Sequence, residues 1–171
     1  MQVHLIGVAG TGMSALAALL VEAGHRVSGS DTAFDPPVGP YLEDLGIHCM
    51  KGWNRANLEN RPDLVIVGNV CRRDNPEAEA AARLGLTMVS MPTAIAEQVL
   101  STRQPLVVAG THGKTTTSTL LAYLLRRAGI DAGYLVGGIP LDLDRSSRLG
   151  AEGSPFGIEG DEYDSAFFEQ V

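Results

Sequence analysis

The chain has 171 residues, 44% of them hydrophobic, so it can bury a core and is not a disordered tract. A net charge of −7 with no basic block excludes the usual nucleic-acid footprint of clustered lysine and arginine. Two cysteines, Cys49 and Cys71, lack the paired spacing of a zinc site and read as thiols in a reducing compartment.

The opening run, "MQVHLIGVAGTGMSALAALL", is apolar but has no basic start and no small-residue cleavage site, and glycines interrupt it. It reads as strand, turn and helix rather than a signal peptide or membrane span. The expectation is a cytoplasmic α/β protein with neither membrane nor nucleic acid as partner. Val3 to Val8 forms the first strand, Met13 to Ala23 a helix stopped by Gly24, and "HRVSGSD" a second strand ending at Asp31. Pro36, Pro37 and Pro40 mark a loop, and "YLEDLGI" a short helix ending at Gly46. "PDLVIVGN" holds a buried strand over Leu64 to Val67. "NPEAEAAARLG" is a helix with Pro76 in its first turn, glutamates near its N-terminus and Gly85 at its close. "LTMVS" and "PTAIAEQVL" give one more strand and helix. This alternation predicts a doubly wound, mostly parallel sheet over about the first hundred residues.

"STRQP" at 101–105 is a polar, proline-containing break, and it divides the chain into domains 1–101 and 102–171. A second strand–loop–helix unit follows: "LVVAG", a loop, then a helix from about Lys114 to Ala128 closed by Gly129. "AGYLVGG" reads as a strand, "DLDRSSRLGAEGSP" as a polar loop and "FGIEG" as a further strand.

Two glycine clusters carry the chemistry. In "GVAGTG", Gly10, Gly12 and Ala15 fit the G-x-G-x-x-A form of the dinucleotide fingerprint between a strand and a helix. Glycine lets the backbone approach a diphosphate, and the helix N-terminus adds bare N–H donors and partial positive charge. Asp31 follows Gly12 by nineteen residues, where an acid usually meets a ribose or base. The pattern specifies a diphosphate nucleotide without choosing NAD over another, and for Asp31 a turn or helix-capping role competes with ligand contact.

The second cluster is "VVAGTHGKTTTS". A P-loop reads G-x-x-x-x-G-K-[ST]; Gly113, Lys114 and Thr115 match its end, but Val108 stands where the first glycine belongs, and Gly110 is the nearest glycine upstream. The shorter loop keeps the physics. Backbone N–H groups of residues 110–115 can curl around β- and γ-phosphates, Lys114 neutralises them, and the Thr115 hydroxyl can ligate Mg²⁺. Thr116, Thr117 and Ser118 read equally as plain first-turn hydroxyls, and His112 as a ligand contact or a solvent-facing loop residue. Near the end, Glu159 follows "FGI" at a strand terminus, where a carboxylate can hold Mg²⁺ opposite the loop hydroxyl. Asp161, Glu162 and Asp164 are weaker candidates, since most members of an acidic run are simply solvated.

"AGTHGKTTT" resembles the ATP loop of the Mur ligases, a family of ATP-dependent amide-bond ligases that build and recycle bacterial cell-wall peptides. The resemblance covers nearly the whole chain. It implies a Rossmann-like parallel-sheet domain that binds the UDP of a UDP-muramyl substrate, followed by the start of a P-loop-type ATPase domain. Gly10, Thr11, Gly12 and Met13 would hold the diphosphate, and Asp31 with Thr32 would meet the uridine. Gly110, Thr111, His112, Gly113, Lys114, Thr115 and Thr116 would bind ATP, Lys114 and Glu159 would be the catalytic pair, and Thr115 and Glu159 would hold Mg²⁺. "GDEYDSAFF" and "VIVGNVCRRDNPE" look like the branch that joins UDP-N-acetylmuramate to the recycled tripeptide L-alanyl-γ-D-glutamyl-meso-diaminopimelate, by way of an acyl phosphate. The alternative branch joins L-alanine instead, and an NAD-linked oxidoreductase is the remaining rival. Gly160 departs from the alanine common at that position in both branches. Family members continue into a fuller ATPase domain and a C-terminal domain. The expectation is therefore an N-terminal fragment without turnover of its own.

Overall fold

The computed structural model describes residues 1–69, 71, 74–138, 140–141 and 143–160. The expected acidic run at Asp161, Glu162 and Asp164 lies outside them. The chain divides into two compact units, Met1–Ala94 and Ile95–Val171.

In the first unit, β1 (Gln2–Ile6), β2 (Arg26–Asp31), β3 (His48–Lys51), β4 (Leu64–Val67) and β5 (Met88–Ser90) form one sheet in the order β3-β2-β1-β4-β5. Every pairing is parallel. Helices α1 (Thr11–Glu22), α2 (Val38–Asp44) and α3 (Pro76–Arg83) and a 3₁₀ turn at Arg55–Leu58 lie between successive strands, and α4 (Met91–Ala94) follows β5. The sheet grows from β1 through β2 to β3, then returns to place β4 on β1's other side. That reversal is a topological switch point, and in open α/β sheets ligands bind beyond the strands' carboxyl ends at such a point. The carboxyl end of β1 runs into Gly7, and that of β4 into Gly68.

Parallel strands covered on both faces need apolar side chains on both faces. Leu5, Ile6, Val65 and Ile66 are accordingly buried in β1 and β4. α1 buries every residue from Met13 to Leu20, which suits a helix that is apolar all round. It stops where Gly24 adopts φ +83°, letting His25 N–H reach the Leu20 carbonyl and Gly24 N–H the Val21 carbonyl. α2 and α3 end in the same paired bonds at Gly46 and Gly85. α3 begins as its sequence predicts: Asn75 Oδ1 accepts from Glu77 N–H and Ala78 N–H, and Pro76 occupies the first turn.

The second unit has a four-stranded sheet, order β6-β9-β7-β8, built from β6 (Gln104–Val108), β7 (Gly133–Leu135), β8 (Ser147–Arg148) and β9 (Pro155–Glu159). β9 lies parallel to both β6 and β7, and β8 runs antiparallel to β7. Helix α5 (Lys114–Arg127) follows β6. Tyr134 and Phe156 are the largest fully buried side chains among the described residues of this unit, and the Tyr134 hydroxyl donates to the Leu143 carbonyl at 3.2 Å. Arg103, read in the sequence as part of a polar break, is a clip: its guanidinium donates to the carbonyls of Val99, Leu149 and Gly150.

Three local expectations differ from what is observed. β3 is a strand where none was read, because "HCMK" is short, mixed in polarity and at the sheet edge. The polar loop before β9 contains β8, held by pairing with β7 rather than by any strand-like pattern of its own. The single helix expected over "PTAIAEQVL" is broken into α4, a π-helical turn at Ile95–Val99 and a 3₁₀ turn at Leu100–Thr102. The wider turn buries both Ile95 and Val99. Among the described residues, no helix is long and apolar enough to cross a membrane.

Trp53, the only tryptophan, packs on a cluster of Ile6, Leu58, Val65, Ala80 and Ala81, so its fluorescence reports the first unit. Ile66→Ala, at a fully buried position in β4, should destabilise this unit by about 2–5 kcal/mol in urea titrations followed at Trp53. Lys51→Ala, on the exposed edge strand, should stay within about 0.5 kcal/mol of the parent.

Candidate nucleotide-binding sites

The first site lies where β1 meets α1. Gly7 takes φ +88° and turns the chain, and the Ser30 carbonyl on β2 accepts both Gly7 N–H (2.8 Å) and Val8 N–H (3.1 Å). Asp31 Oδ2 accepts Ala9 N–H at 2.9 Å, while Oδ1 accepts Thr32 N–H at 2.7 Å and faces the Thr32 hydroxyl at 3.3 Å. Gly10 precedes α1 in an extended conformation with no side-chain cap. The first intrahelical bond runs from Ser14 N–H to the Gly10 carbonyl. The N–H groups of Thr11, Gly12 and Met13 therefore form the open first turn of a helix, an arrangement suited to an anion.

The structure thus brings Gly10, Thr11, Gly12, Met13, Asp31 and Thr32 together at the carboxyl ends of β1 and β2. Met13 offers only its backbone, since its side chain is buried and a Cβ at Gly68 would lie 3.3 Å from its Cγ. A Cβ at Gly12 would press on the flexible end of Met91, 2.7 Å from Cε. Asp31 spends its carboxylate on the loop and its neighbour.

Two glycines that sequence reasoning passed over matter here. Gly7, not Gly10, supplies the left-handed turn. Gly29 makes room for the loop, because a Cβ there would sit 2.5 Å from Val8 Cβ. A glycine inside an otherwise strand-like run such as "HRVSGSD" was the available signal. Cys71 lies against the same strand end, Sγ 3.5 Å from the Ile6 carbonyl. Burial, reinforced by the charges of Asp31 and Glu77, pushes its thiol pKa up.

The second site lies where β6 meets α5. Gly110 and Gly113 adopt φ +149° and +74°, conformations open to glycine, and Gly113 enters α5 without a side-chain cap. Lys114 folds back across the loop, its Nζ donating to the Gly110 carbonyl at 2.7 Å. Register pairs Val108 with Glu159 on the neighbouring parallel strand, so the loop leaves β6 beside the Glu159 carboxylate. Oε2 of that carboxylate accepts the Thr115 hydroxyl at 3.1 Å. Oε1 accepts Gly137 N–H at 2.9 Å and lies 3.0 Å from Ser118 Oγ.

Lys114, Thr115 and Glu159 are therefore assembled from residues 45 apart in sequence at most. Thr111, His112 and Thr116 are exposed on the loop and first turn; Thr116 also borders a cavity of about 590 Å³ with Thr119, Tyr123 and Pro140. Ser118 was given no particular role by the sequence, yet it is buried with its oxygen also near the Lys114 and Thr115 carbonyls. Gly137 was read only as strand. A Cβ there would stand 3.5 Å from Thr115 Oγ1 and 3.4 Å from Glu159 Oε2, against the pair. A hydroxyl and a carboxylate in direct contact are oxygen donors of the kind that a hard divalent cation takes.

A parallel sheet that opens a glycine loop, with a second glycine–lysine–threonine loop beside a strand-end carboxylate, defines an α/β protein with two glycine-loop sites. The chain belongs to the Mur ligase family: the family model described as "Mur ligase family, catalytic domain" matches residues 2–103. Over 170 residues it is 42% identical to the UDP-N-acetylmuramate–L-alanyl-γ-D-glutamyl-meso-2,6-diaminoheptandioate ligase of Escherichia coli K12, covering 99% of this chain and 37% of that protein. It is 39% identical over 165 residues to a UDP-N-acetylmuramate–L-alanine ligase of Burkholderia pseudomallei, covering 96% of this chain and 35% of that one. Among solved structures, the murein peptide ligase of Psychrobacter arcticus superposes with a TM-score of 0.90 at 44% identity, over 98% of this chain and 39% of that one. The chain spans little more than a third of the length of the curated relatives it matches.

Asp31→Asn would put an amide nitrogen against one of the two N–H groups that the carboxylate now accepts. Either the Ala9 or the Thr32 amide should then exchange with solvent deuterium about tenfold faster or more, while amides in β9 keep their rates.

Proposed function

We propose that this chain carries the UDP-sugar-binding and ATP-gripping parts of a ligase that joins UDP-N-acetylmuramate to the tripeptide L-alanyl-γ-D-glutamyl-meso-diaminopimelate, in the recycling of bacterial cell-wall peptide in the cytoplasm. The observation that carries it is the Thr115–Glu159 contact beside the Gly110–Lys114 loop, in a chain of this family. The 42% identity to a ligase of that name supports the acceptor, and the 39% identity to an L-alanine ligase keeps the other branch as the second reading.

Residues 1–101 serve the UDP-sugar. The bare N–H groups at Thr11–Met13 take the diphosphate, and the loop that Asp31 steadies presents them, with Thr32 beside it toward the uridine. Residues 102–171 serve ATP. Backbone N–H groups from Gly110 to Thr116 surround the phosphates, with Thr111 and His112 at the loop's outer edge. Lys114 exchanges its bond to the Gly110 carbonyl for the phosphate oxygens. Thr115 and Glu159 fit Mg²⁺ by donor chemistry and proximity, and when bound the ion supplies positive charge against the crowded phosphates.

A carboxylate does not acylate an amine unaided, because its carbonyl carbon is a poor electrophile and oxide a poor leaving group. The muramyl lactyl carboxylate oxygen attacks the γ-phosphorus, forming an O–P bond and breaking the bond to ADP. The peptide amine then attacks the activated carbonyl carbon, loses a proton and expels phosphate, leaving an amide. Lys114 eases the first step by offsetting the repulsion between two anions as they meet.

Calorimetric titration of the chain should show binding of UDP-N-acetylmuramate and of magnesium with a non-hydrolysable ATP analogue, and none of NAD. Lys114→Ala should weaken the ATP analogue about ten- to a hundredfold, the range for a charge-assisted contact, and leave the UDP-sugar unaffected. Binding of NAD in place of the UDP-sugar would overturn the reading. Equal loss of both ligands would show the loop to be structural. In a full-length ligase bearing this sequence, phosphate release should be faster with the tripeptide than with L-alanine, and the reverse preference would select the second branch.

A further inference from the structure

Glu77 is fully buried in the first turn of α3, yet its carboxylate touches three other parts of the first unit. Oε1 meets His4 Nε2 of β1 at 2.5 Å and accepts the Ser30 hydroxyl of β2 at 3.0 Å. Oε2 accepts Asn54 N–H at 3.1 Å and Asn57 Nδ2 at 2.9 Å, both in the turn that follows β3. A buried carboxylate is tolerated only when its oxygens are filled, and these are.

Both arms of this hub end at the glycine loop. Through Oε1, Glu77 fixes Ser30, the residue whose carbonyl receives Gly7 and Val8 N–H. Through Oε2 it fixes Asn54 and Asn57. Asn57 Nδ2 also donates to the Gly52 carbonyl at 3.0 Å, and Gly52 N–H donates to the Asp31 carbonyl at 2.7 Å. Asp31 in turn holds Ala9 N–H. Two separate chains of hydrogen bonds therefore run from one buried carboxylate to the three successive loop amides Gly7, Val8 and Ala9.

We propose that Glu77 is a positioning residue for the diphosphate loop: it sets the end of β2 and the Gly52–Asn57 turn so that the loop presents its N–H groups in one geometry. The proposal rests on the reading that this unit binds the UDP-sugar. Its geometric part stands on the hydrogen bonds alone. Among the described residues the Glu77 carboxylate bonds to His4, Ser30, Asn54 and Asn57, none of them in the loop.

Glu77→Gln keeps the size but leaves one acceptor oxygen where there were two, so one arm of the hub faces an amide nitrogen in place of an oxygen. Ser30→Ala cuts the other arm and leaves the Ser30 carbonyl in place. Each variant of the whole chain is checked by circular dichroism, then titrated with UDP-N-acetylmuramate and with the magnesium ATP analogue under conditions where it is folded. Amide exchange is recorded on the same samples. The expectation for Glu77→Gln is about tenfold weaker UDP-sugar binding, unchanged ATP-analogue binding, and faster exchange at Gly7, Val8, Ala9 and Gly52. Ser30→Ala should act in the same direction, and it decides the matter if Glu77→Gln does not fold. A lower urea midpoint with unchanged affinity and unchanged exchange at those amides would make Glu77 a plain stabiliser and overturn the proposal. If the parent chain binds no UDP-sugar, the substrate reading fails separately. The exchange pattern then judges the positioning claim by itself.

Discussion

A carboxylate on the neighbouring parallel strand anchors each of the two glycine loops. β1 leads into the first loop, and Asp31, the last residue of the adjacent β2, accepts Ala9 N–H. β6 leads into the second, and Glu159, the last residue of the adjacent β9, accepts the Thr115 hydroxyl. The geometry follows from the parallel ladder. Neighbouring strands end side by side, so a loop leaving one strand passes over the terminus of the next, and a short acidic side chain there reaches it without leaving its own strand. Glycine-rich loops have little side-chain packing to define them, and a charge-assisted bond from a rigid strand supplies the missing restraint.

The parts of this design that were legible in the sequence depend on local chemistry. Gly24, Gly46, Gly85 and Gly129 closed the helices that precede them, and Asn75 with Pro76 opened α3. The apolar run at Leu64–Val67 was an inner strand, and the run from Gly113 to Thr115 opened the helix that follows β6. What escaped depends on partners distant in the chain. β8 is a strand only because β7 pairs with it. Glu77 lies in a helical first turn, where acids are ordinarily solvated and favoured by the helix dipole, and its partners stand at positions 4, 30, 54 and 57. No spacing in "NPEAEAAARLG" separates that buried glutamate from Glu79 two residues on, which makes an exposed ion pair with Arg83.

The two anchoring carboxylates differ in what remains to them. Asp31 gives Oδ2 to Ala9 and Oδ1 to Thr32, and each oxygen accepts a backbone N–H that the local chain path fixes, the Thr32 hydroxyl adding a longer contact at Oδ1. Glu159 is held by backbone on one side only: Gly137 N–H and the buried Ser118 hydroxyl gather at Oε1, while Oε2 meets only the Thr115 hydroxyl among the described residues. A hydroxyl can rotate its proton away and offer a lone pair, which an amide N–H cannot do. The Thr115 hydroxyl can therefore turn by rotation about one C–O bond while Gly137 N–H and the buried Ser118 hydroxyl stay at Oε1. A strand-end glutamate paired with a threonine hydroxyl thus leaves the loop able to respond to charge, whereas a strand-end aspartate paired with backbone amides holds its loop fixed.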